Sequence, residues 1–403
     1  MSVLRDLIGV GVTEATRERQ RDRLLRLAAR LPRPLVRAGV ALHRALWRAS
    51  RSRDAGAPDT LFFFVTNICN QSCVHCFYAA ELNRPTQAMK LEDVRALARS
   101  IRGRTPTVFL CGGEPTTRRD LPDIAEAFIR VAKVRRLFIT TNGILQDRVF
   151  ATVERALALP GRFQLRMPVS LDGPEPMHDA IRKFPGGFRK ATETLERLLE
   201  RATRDPRLVP MITSVIQKGN AEGFAEFYRS LRTRYDCEVQ FILIRQDGRD
   251  AGGLDKTILL DAGNAEDLLP DPDTCRRILR DIEAFEAARP SPSLMPAFRA
   301  SMAEHHLTVA TEHRAVAPCV APQSFATISP DGGTSLCELA KPYGNLRDFG
   351  YDLRAAWNSP AANGQRAQLS ACWCTYPCAL QNSVMRDPTA LTTSLDYVRK
   401  RLT

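Results

Sequence analysis

The sequence predicts an α/β fold: a partial (β/α)6 TIM-like barrel, preceded by a helical extension and followed by a small cysteine-rich domain. Six short apolar, β-branched or aromatic runs alternate with helix-period segments between Thr60 and Ile244. Such alternation implies a parallel sheet with helices outside it, a fold that places chemistry at the C-terminal ends of its strands. The 11 cysteines add a second pattern, since all but three fall at 69–76 or within 319–378.

In chain order, residues 15–31 read as a basic helix stopped near Pro32 and Pro34. A second helix, about Leu35–Ser50, sets Arg33, Arg37, Arg44, Arg48 and Arg51 on one face and Leu35, Leu42 and Leu46 on another, with Trp47 flanking the apolar side. Residues 54–58 read as a linker. The strand runs are Leu61–Thr66, Val108–Cys111, Leu137–Thr141, Met167–Leu171, Met211–Ile216 and Val239–Ile244. Helical patterns lie between them, among them Leu91–Ile101, Phe188–Arg201 and Ala221–Tyr235. A Gly- and Asp-rich connection spans 246–273, and a helix follows to about Arg289. The expected units are therefore 1–58, 59–290 and 291–403, with the last boundary between about 290 and 318.

With 403 residues, 44% hydrophobic and 26% charged, the composition is that of a globular protein. No apolar run reaches the ~18 residues of a membrane span. Arg5 and Asp6 interrupt the N-terminal apolar stretch, which makes a poor signal peptide. The expected location is the cytoplasm, where thiols stay reduced and clustered cysteines point to metal or catalytic chemistry rather than disulfides. The net charge of +13 is concentrated at one end, because residues 1–58 carry 13 Arg and five acids. No RNA-binding signature accompanies it, so no nucleic acid is expected as a partner. The second helix suits peripheral contact with an anionic membrane, at its inner face. The competing arrangement is a helix packed on the barrel with its arginines in water.

Cys69, Cys73 and Cys76 can hold three corners of an inorganic cluster and leave one iron open. A zinc site, with His75 or a distant cysteine as fourth ligand, is the alternative. Cys69-Asn-Gln-Ser-Cys73-Val-His-Cys76 follows the first strand, and Cys111-Gly112-Gly113-Glu114-Pro115 follows the second. Together they resemble the CxxxCxxC loop and GGEP element of the radical SAM superfamily. Thr140-Thr141-Asn142-Gly143 ends strand three, Ser170-Leu171-Asp172-Gly173 ends strand four, and Arg182 comes soon after. The resemblance implies a [4Fe–4S] cluster on the three cysteines, whose open iron takes the amino and carboxylate groups of S-adenosylmethionine. It implies that Glu114 holds the amino group and that Ser170 and Arg182 hold the carboxylate, with Gly112, Gly113, Asn142 and Asp172 completing the site. One-electron reduction then yields methionine and a 5′-deoxyadenosyl radical, which abstracts a hydrogen atom from substrate. A flavodoxin or ferredoxin is the implied reductant. His75 reads as packing beside the ligands.

The later cysteines form a second pattern. Cys319 is followed by Gly332 and Cys337, and then by Cys372-Trp-Cys374-Thr-Tyr-Pro-Cys378. This resembles the auxiliary-cluster region called SPASM, or its shorter relative, twitch. The central CxxCxxxxxCxxxC arrangement is missing, so the resemblance implies one auxiliary [4Fe–4S] cluster with five thiols for four places. Cys319, Cys337, Cys374 and Cys378 are the expected set and Cys372 the competitor; a zinc ribbon is the alternative. Asp247 and Asp250, after strand six, are candidates to take a proton from a substrate radical. The expected substrate is a small molecule or a lipid-linked one, with a ribosomal peptide as the competing class. Residues 1–58 are too short and too uniformly helical for the winged-helix leader-binding domain of many peptide-modifying relatives. A non-catalytic iron–sulfur or zinc-binding protein is the rival from another class.

Overall fold

Helices α1 (Glu14–Arg30) and α2 (Arg33–Arg53) open the computed structural model, which describes residues 14–53, 56–245, 268–289, 294–369 and 372–400. They part at Leu31–Pro32, where proline withdraws a backbone donor. The expected alternation then follows: β1 (Thr60–Thr66), α3 (Leu91–Ser100), β2 (Thr107–Gly112), α4 (Leu121–Glu126), β3 (Arg136–Ile139), α5 (Gln146–Leu157), β4 (Gln164–Ser170), α6 (Glu175–Arg182), α7 (Gly187–Arg204), β5 (Leu208–Ile216), α8 (Phe224–Arg234) and β6 (Glu238–Leu243). After these come α9 (Pro272–Ala287), α10 (Met295–Glu312), β7 (Phe325–Ile328), β8 (Gly333–Ser335), β9 (Gly344–Asn345), α11 (Pro377–Val384) and α12 (Pro388–Arg399).

Strands β1 to β6 pair in sequence order, all in parallel, and β6 and β9 stay at opposite edges, so the barrel is open. Nearly all of β1 and the whole of β4 are buried. A sheet covered on both faces selects such continuous apolar runs rather than alternation. Ala191, Leu195 and Leu198 of α7, on one helical face, are fully buried against it. Phe62, Phe109 and Phe138 stack across β1, β2 and β3 with ring centroids 4.8 and 4.1 Å apart. Arg166 of β4 lies over the Phe138 ring and pairs with Glu238 of β6 at 2.9 Å. Arg299 of α10 reaches the same carboxylate at 2.6 Å, tying α10 to the sheet.

The C-terminal region shares the barrel's sheet. β7 pairs in parallel with β1, and β8 and β9 continue antiparallel. One core runs from Phe62 and Leu97 through Phe325, Ile328, Trp357 and Tyr376. The expected boundary near 290–318 thus separates two stretches that fold around common apolar contacts.

α2 packs on α12, and α1 on α10 and α12. The leucines do not make the packing contact that the packed arrangement implies. Arg33 and Arg44 lie 3.0 Å from Asp396 and Asp387 of the α12 segment. Ala29 and Val36 are buried, and Asp22 accepts the Leu294 amide at 2.8 Å. The leucines stay in solvent: Leu27, Leu31, Leu35, Leu42 and Leu46 are 41–61% exposed. Arg44 is half-buried in its pair with Asp387, whereas Arg33, though paired with Asp396, and Arg37 remain exposed. The side chains of Trp47, Arg48 and Arg51 lie outside the described residues. Among the described residues no helix is long and apolar enough to cross a membrane.

Candidate active site

The C-terminal ends of the parallel strands surround a cavity of about 530 Å3. The phenylalanine stack forms part of its wall. Cys69, Cys73 and Cys76 line it, as do Gly112, Gly113, Glu114, Asn142, Ser170 and Arg182. Residues from four strand ends and α6 therefore meet in one place.

The cysteine loop is held by contacts that two glycines permit. Gly112 has φ +137°, and a Cβ there would sit 2.1 Å from the Thr66 carbonyl oxygen; a Cβ on Gly113 would sit 2.3 Å from that of Ile68. The Gly113 and Glu114 amides donate to the same two carbonyls at 2.8 Å each. The close approach that a glycine backbone permits is made here to the chain itself, pressing β2 against the loop's entry. Asn67 Nδ2 donates to the Glu81 and Arg84 carbonyls and to Thr86 Oγ1, and Asn83 Oδ1 accepts the Cys69 amide. The Val74 amide donates to the Ile181 carbonyl at 2.9 Å, joining the loop to α6. Burial pushes the Cys69 thiol up to about 12 and Cys76 up to about 11, and it raises Cys73. Metal binding there must therefore release protons. Beside the thiols, Gln71 Nε2 and His75 Nδ1 are buried with no hydrogen-bond partner among the described residues.

Glu114 joins the strand ends. Its Oε1 accepts from the Thr116 amide and hydroxyl and from Thr141 Oγ1, while Oε2 accepts the Asn142 amide at 2.8 Å. Burial raises the Glu114 pKa, and these bonds only partly offset it. Oε2 keeps acceptor capacity for another donor. Asn142 Nδ2 donates to Asn70 Oδ1 at 2.7 Å, linking β3 to the cysteine loop.

Asp172 does not line the cavity as the implied site has it. It is fully buried behind Arg182, and Oδ2 accepts Arg182 Nε at 2.8 Å and Nη2 at 2.7 Å. Oδ1 accepts the Val215 amide at 2.8 Å. Burial alone would raise this carboxyl, but Arg182, then His75 and the Val215 amide, hold it below the usual carboxylate range. Asp172 thus orients the guanidinium, and Arg182 is the member on the cavity wall.

His178 Nδ1 accepts the Asp172 amide at 3.2 Å, and burial lowers its pKa to about 4. The folded state therefore binds this proton less readily than the unfolded chain, whose histidine titrates near ~6.5. Its contribution to stability is complete above pH ~6.5 and is lost as pH falls toward 4, on the order of 2 kcal/mol between pH 7 and pH 5. Urea unfolding of wild type and His178→Gln is expected to show the gap between them narrowing by that amount over this range. A constant gap would show that His178 titrates alike in both states.

Cys319, Cys337, Cys372 and Cys374 line a second, small cavity whose other walls are Ala321, Pro322, Leu339 and Leu369. Burial pushes Cys319 up to about 11 and Cys337 far up, with neighbouring thiols adding to both. Cys378 lines the large cavity instead, because the chain enters α11 at Pro377 and the helix carries it to the barrel side. Cys372, the competing thiol, completes the foursome. Asp247 and Asp250 lie outside the described residues. Arg245 and Glu338, also on the large cavity's wall, escaped the sequence reading. The available signals were a charged residue just past strand six and an acid next to Cys337.

Residues 63–231 match the Radical SAM superfamily. The barrel is a radical SAM domain. Proteins of this superfamily use a [4Fe–4S] cluster and S-adenosylmethionine. Over 137 residues the chain is 34% identical to the Fe-coproporphyrin III synthase of Methanosarcina barkeri, covering 34% of this chain and 33% of that one. Over 200 residues it is 28% identical to the mycofactocin maturase of Mycolicibacterium smegmatis, covering 49% and 48%. The chain thus spans about half or less of these relatives' length. Streptococcus suis SuiB bound to precursor peptide SuiA shares the fold, with a TM-score of 0.57 at 16% identity over 80% of this chain and 70% of SuiB. The residues of the two cavities fit the cofactors. Three thiols face a cavity that also holds two orphaned buried polar atoms, and the second set offers four thiols in apolar walls, soft donors suited to iron–sulfur clusters.

Proposed function

We propose that this protein is an enzyme that reductively cleaves S-adenosylmethionine at the barrel mouth and modifies a small-molecule or lipid-linked substrate by hydrogen-atom abstraction. The carrying observation is the convergence of Cys69, Cys73, Cys76, Glu114, Ser170 and Arg182 on one cavity of a radical SAM domain. When bound there, the cluster and S-adenosylmethionine supply one-electron cleavage of the sulfonium, and so a 5′-deoxyadenosyl radical. The chain's own residues bind and orient. Arg182, fixed by Asp172, offers a planar guanidinium to the carboxylate of S-adenosylmethionine. Ser170 Oγ assists it, and Glu114 Oε2 takes the amino group. The stacked Phe62, Phe109 and Phe138 rings give an apolar wall that keeps water from the reacting centre. The auxiliary cluster is assigned to Cys319, Cys337, Cys372 and Cys374, and a flavodoxin- or ferredoxin-type donor supplies the electron. Anaerobically reconstituted protein, reduced with dithionite, is expected to release 5′-deoxyadenosine from S-adenosylmethionine. Full iron content without nucleoside release would leave the non-catalytic reading.

The outward leucine row favours the lipid-linked class. Leu27, Leu31, Leu35, Leu42 and Leu46 are exposed, and Arg23 and Arg30, one turn either side of Leu27, are exposed with them. The surrounding residues 1–58 carry 13 Arg against five acids. An apolar row with adjacent cations suits an anionic bilayer, where each basic residue near the surface contributes about 1 kcal/mol. Vesicles containing anionic lipid are expected to pellet the full chain, and several-fold less of a Leu35→Ser, Leu42→Ser, Leu46→Ser variant. Equal pelleting of the two would return these helices to a structural role. It would also move the substrate reading toward the peptide class, which the mycofactocin maturase and peptide-bound SuiB support by likeness.

A further inference from the structure

Arg245 stands where the two cysteine groups approach each other. Its guanidinium carbon lies 4.2 Å from the ring centroid of Phe77, the residue after Cys76. It lies 4.6 Å from that of Tyr376, between Cys374 and Cys378. Nη1 is 2.8 Å from Oε2 of Glu338, the residue after Cys337. One cation therefore touches a sequence neighbour of a thiol in each group. The contact is enclosed, with the Arg245 side chain 18% exposed and that of Glu338 4% exposed. A guanidinium does not lose its proton in a protein, and two aromatic faces hold this one in place. At such depth salt screens it little, so its field reaches Cys76 of the first group and Cys378 beside the second.

We propose that Arg245 is a positioning residue that clamps the two cysteine loops together and, as a fixed cation, raises the reduction potential of the cluster on Cys69, Cys73 and Cys76, with Glu338 opposing it. The inference rests on the cluster assignment of the proposed function. Reduction adds negative charge to a cluster, so a nearby cation stabilises the reduced form and a nearby carboxylate the oxidised form. The pair thus sets how readily the first cluster accepts an electron, and it ties that value to the position of the C-terminal cysteine segment.

The test is an EPR-monitored redox titration of the reconstituted full chain, with iron counted on every sample. The first cluster's signal is identified by its change on adding S-adenosylmethionine. Arg245→Gln is expected to move that cluster's midpoint to lower potential and Glu338→Gln to higher potential, while Arg245→Lys stays nearer wild type. Opposite shifts are the signature, because loosened packing alone would move both variants the same way or neither. Should Arg245→Gln fail to assemble, Glu338→Gln still decides, and an unchanged midpoint there overturns the proposal. A wild-type chain whose cluster signal ignores S-adenosylmethionine would instead overturn the underlying cluster assignment.

Discussion

Replacing Cys69, Cys73 and Cys76 together by Ala is expected to remove about four of about eight irons per chain and to abolish 5′-deoxyadenosine formation. The two thiol groups line separate cavities, so the second should keep its iron when the first is removed. The same iron count separates two neighbours in sequence. Cys372→Ala is expected to lose iron from the second group, whereas Cys378→Ala, on the large cavity's wall, should retain all of it. Nucleoside formation by the triple variant would refute the assignment of the first cluster. Iron loss in Cys378→Ala with none in Cys372→Ala would restore the foursome expected from sequence.

Arg182→Ala should be costly in a second way. Asp172 is fully buried and paired with Arg182 at 2.7 Å. Removing one partner of a buried pair leaves an uncompensated charge and costs roughly 3–5 kcal/mol, a large part of the ~5–15 kcal/mol that holds a typical domain folded. A neutral pair, Arg182→Met with Asp172→Asn, is expected to recover most of that stability, since no isolated charge remains. It should still bind S-adenosylmethionine poorly, because the guanidinium is gone. Urea unfolding measures the first effect and equilibrium dialysis the second. Wild-type affinity in the double variant would remove Arg182 from the site and leave it a purely structural ion pair.

Local pattern explains most of what was legible in the sequence. The β1 run Thr60–Thr66 and the α7 segment Gly187–Arg204 announce themselves through continuous burial and helical spacing, which depend on near neighbours only. Strand three reads two residues too long, to Thr141, because Thr141 leaves the regular ladder, keeps a single bridge to Val169 and turns its hydroxyl to Glu114. α10 went unread for a different reason. Buried residues from Pro296 to Ala310 cover much of its circumference, so the helix lacks the one-sided apolar stripe that marks a surface helix.

By itself the sequence determined the order of strands and helices, the cysteine loop and the strand-end residues that a radical SAM domain brings together. Those properties rest on residue type at short spacing. Only the tertiary structure decided that Asp172 stands behind Arg182, that Cys372 and not Cys378 lines the same cavity as Cys319, Cys337 and Cys374, and that Arg245 meets Glu338. It also decided that Arg33 and Arg44 pair with the α12 segment while the leucines face out. Each of these depends on which distant group occupies the facing space, such as Asp387 and Asp396 on α12 and its approach. A buried charge goes where its partner is, and no local period records that partner's position.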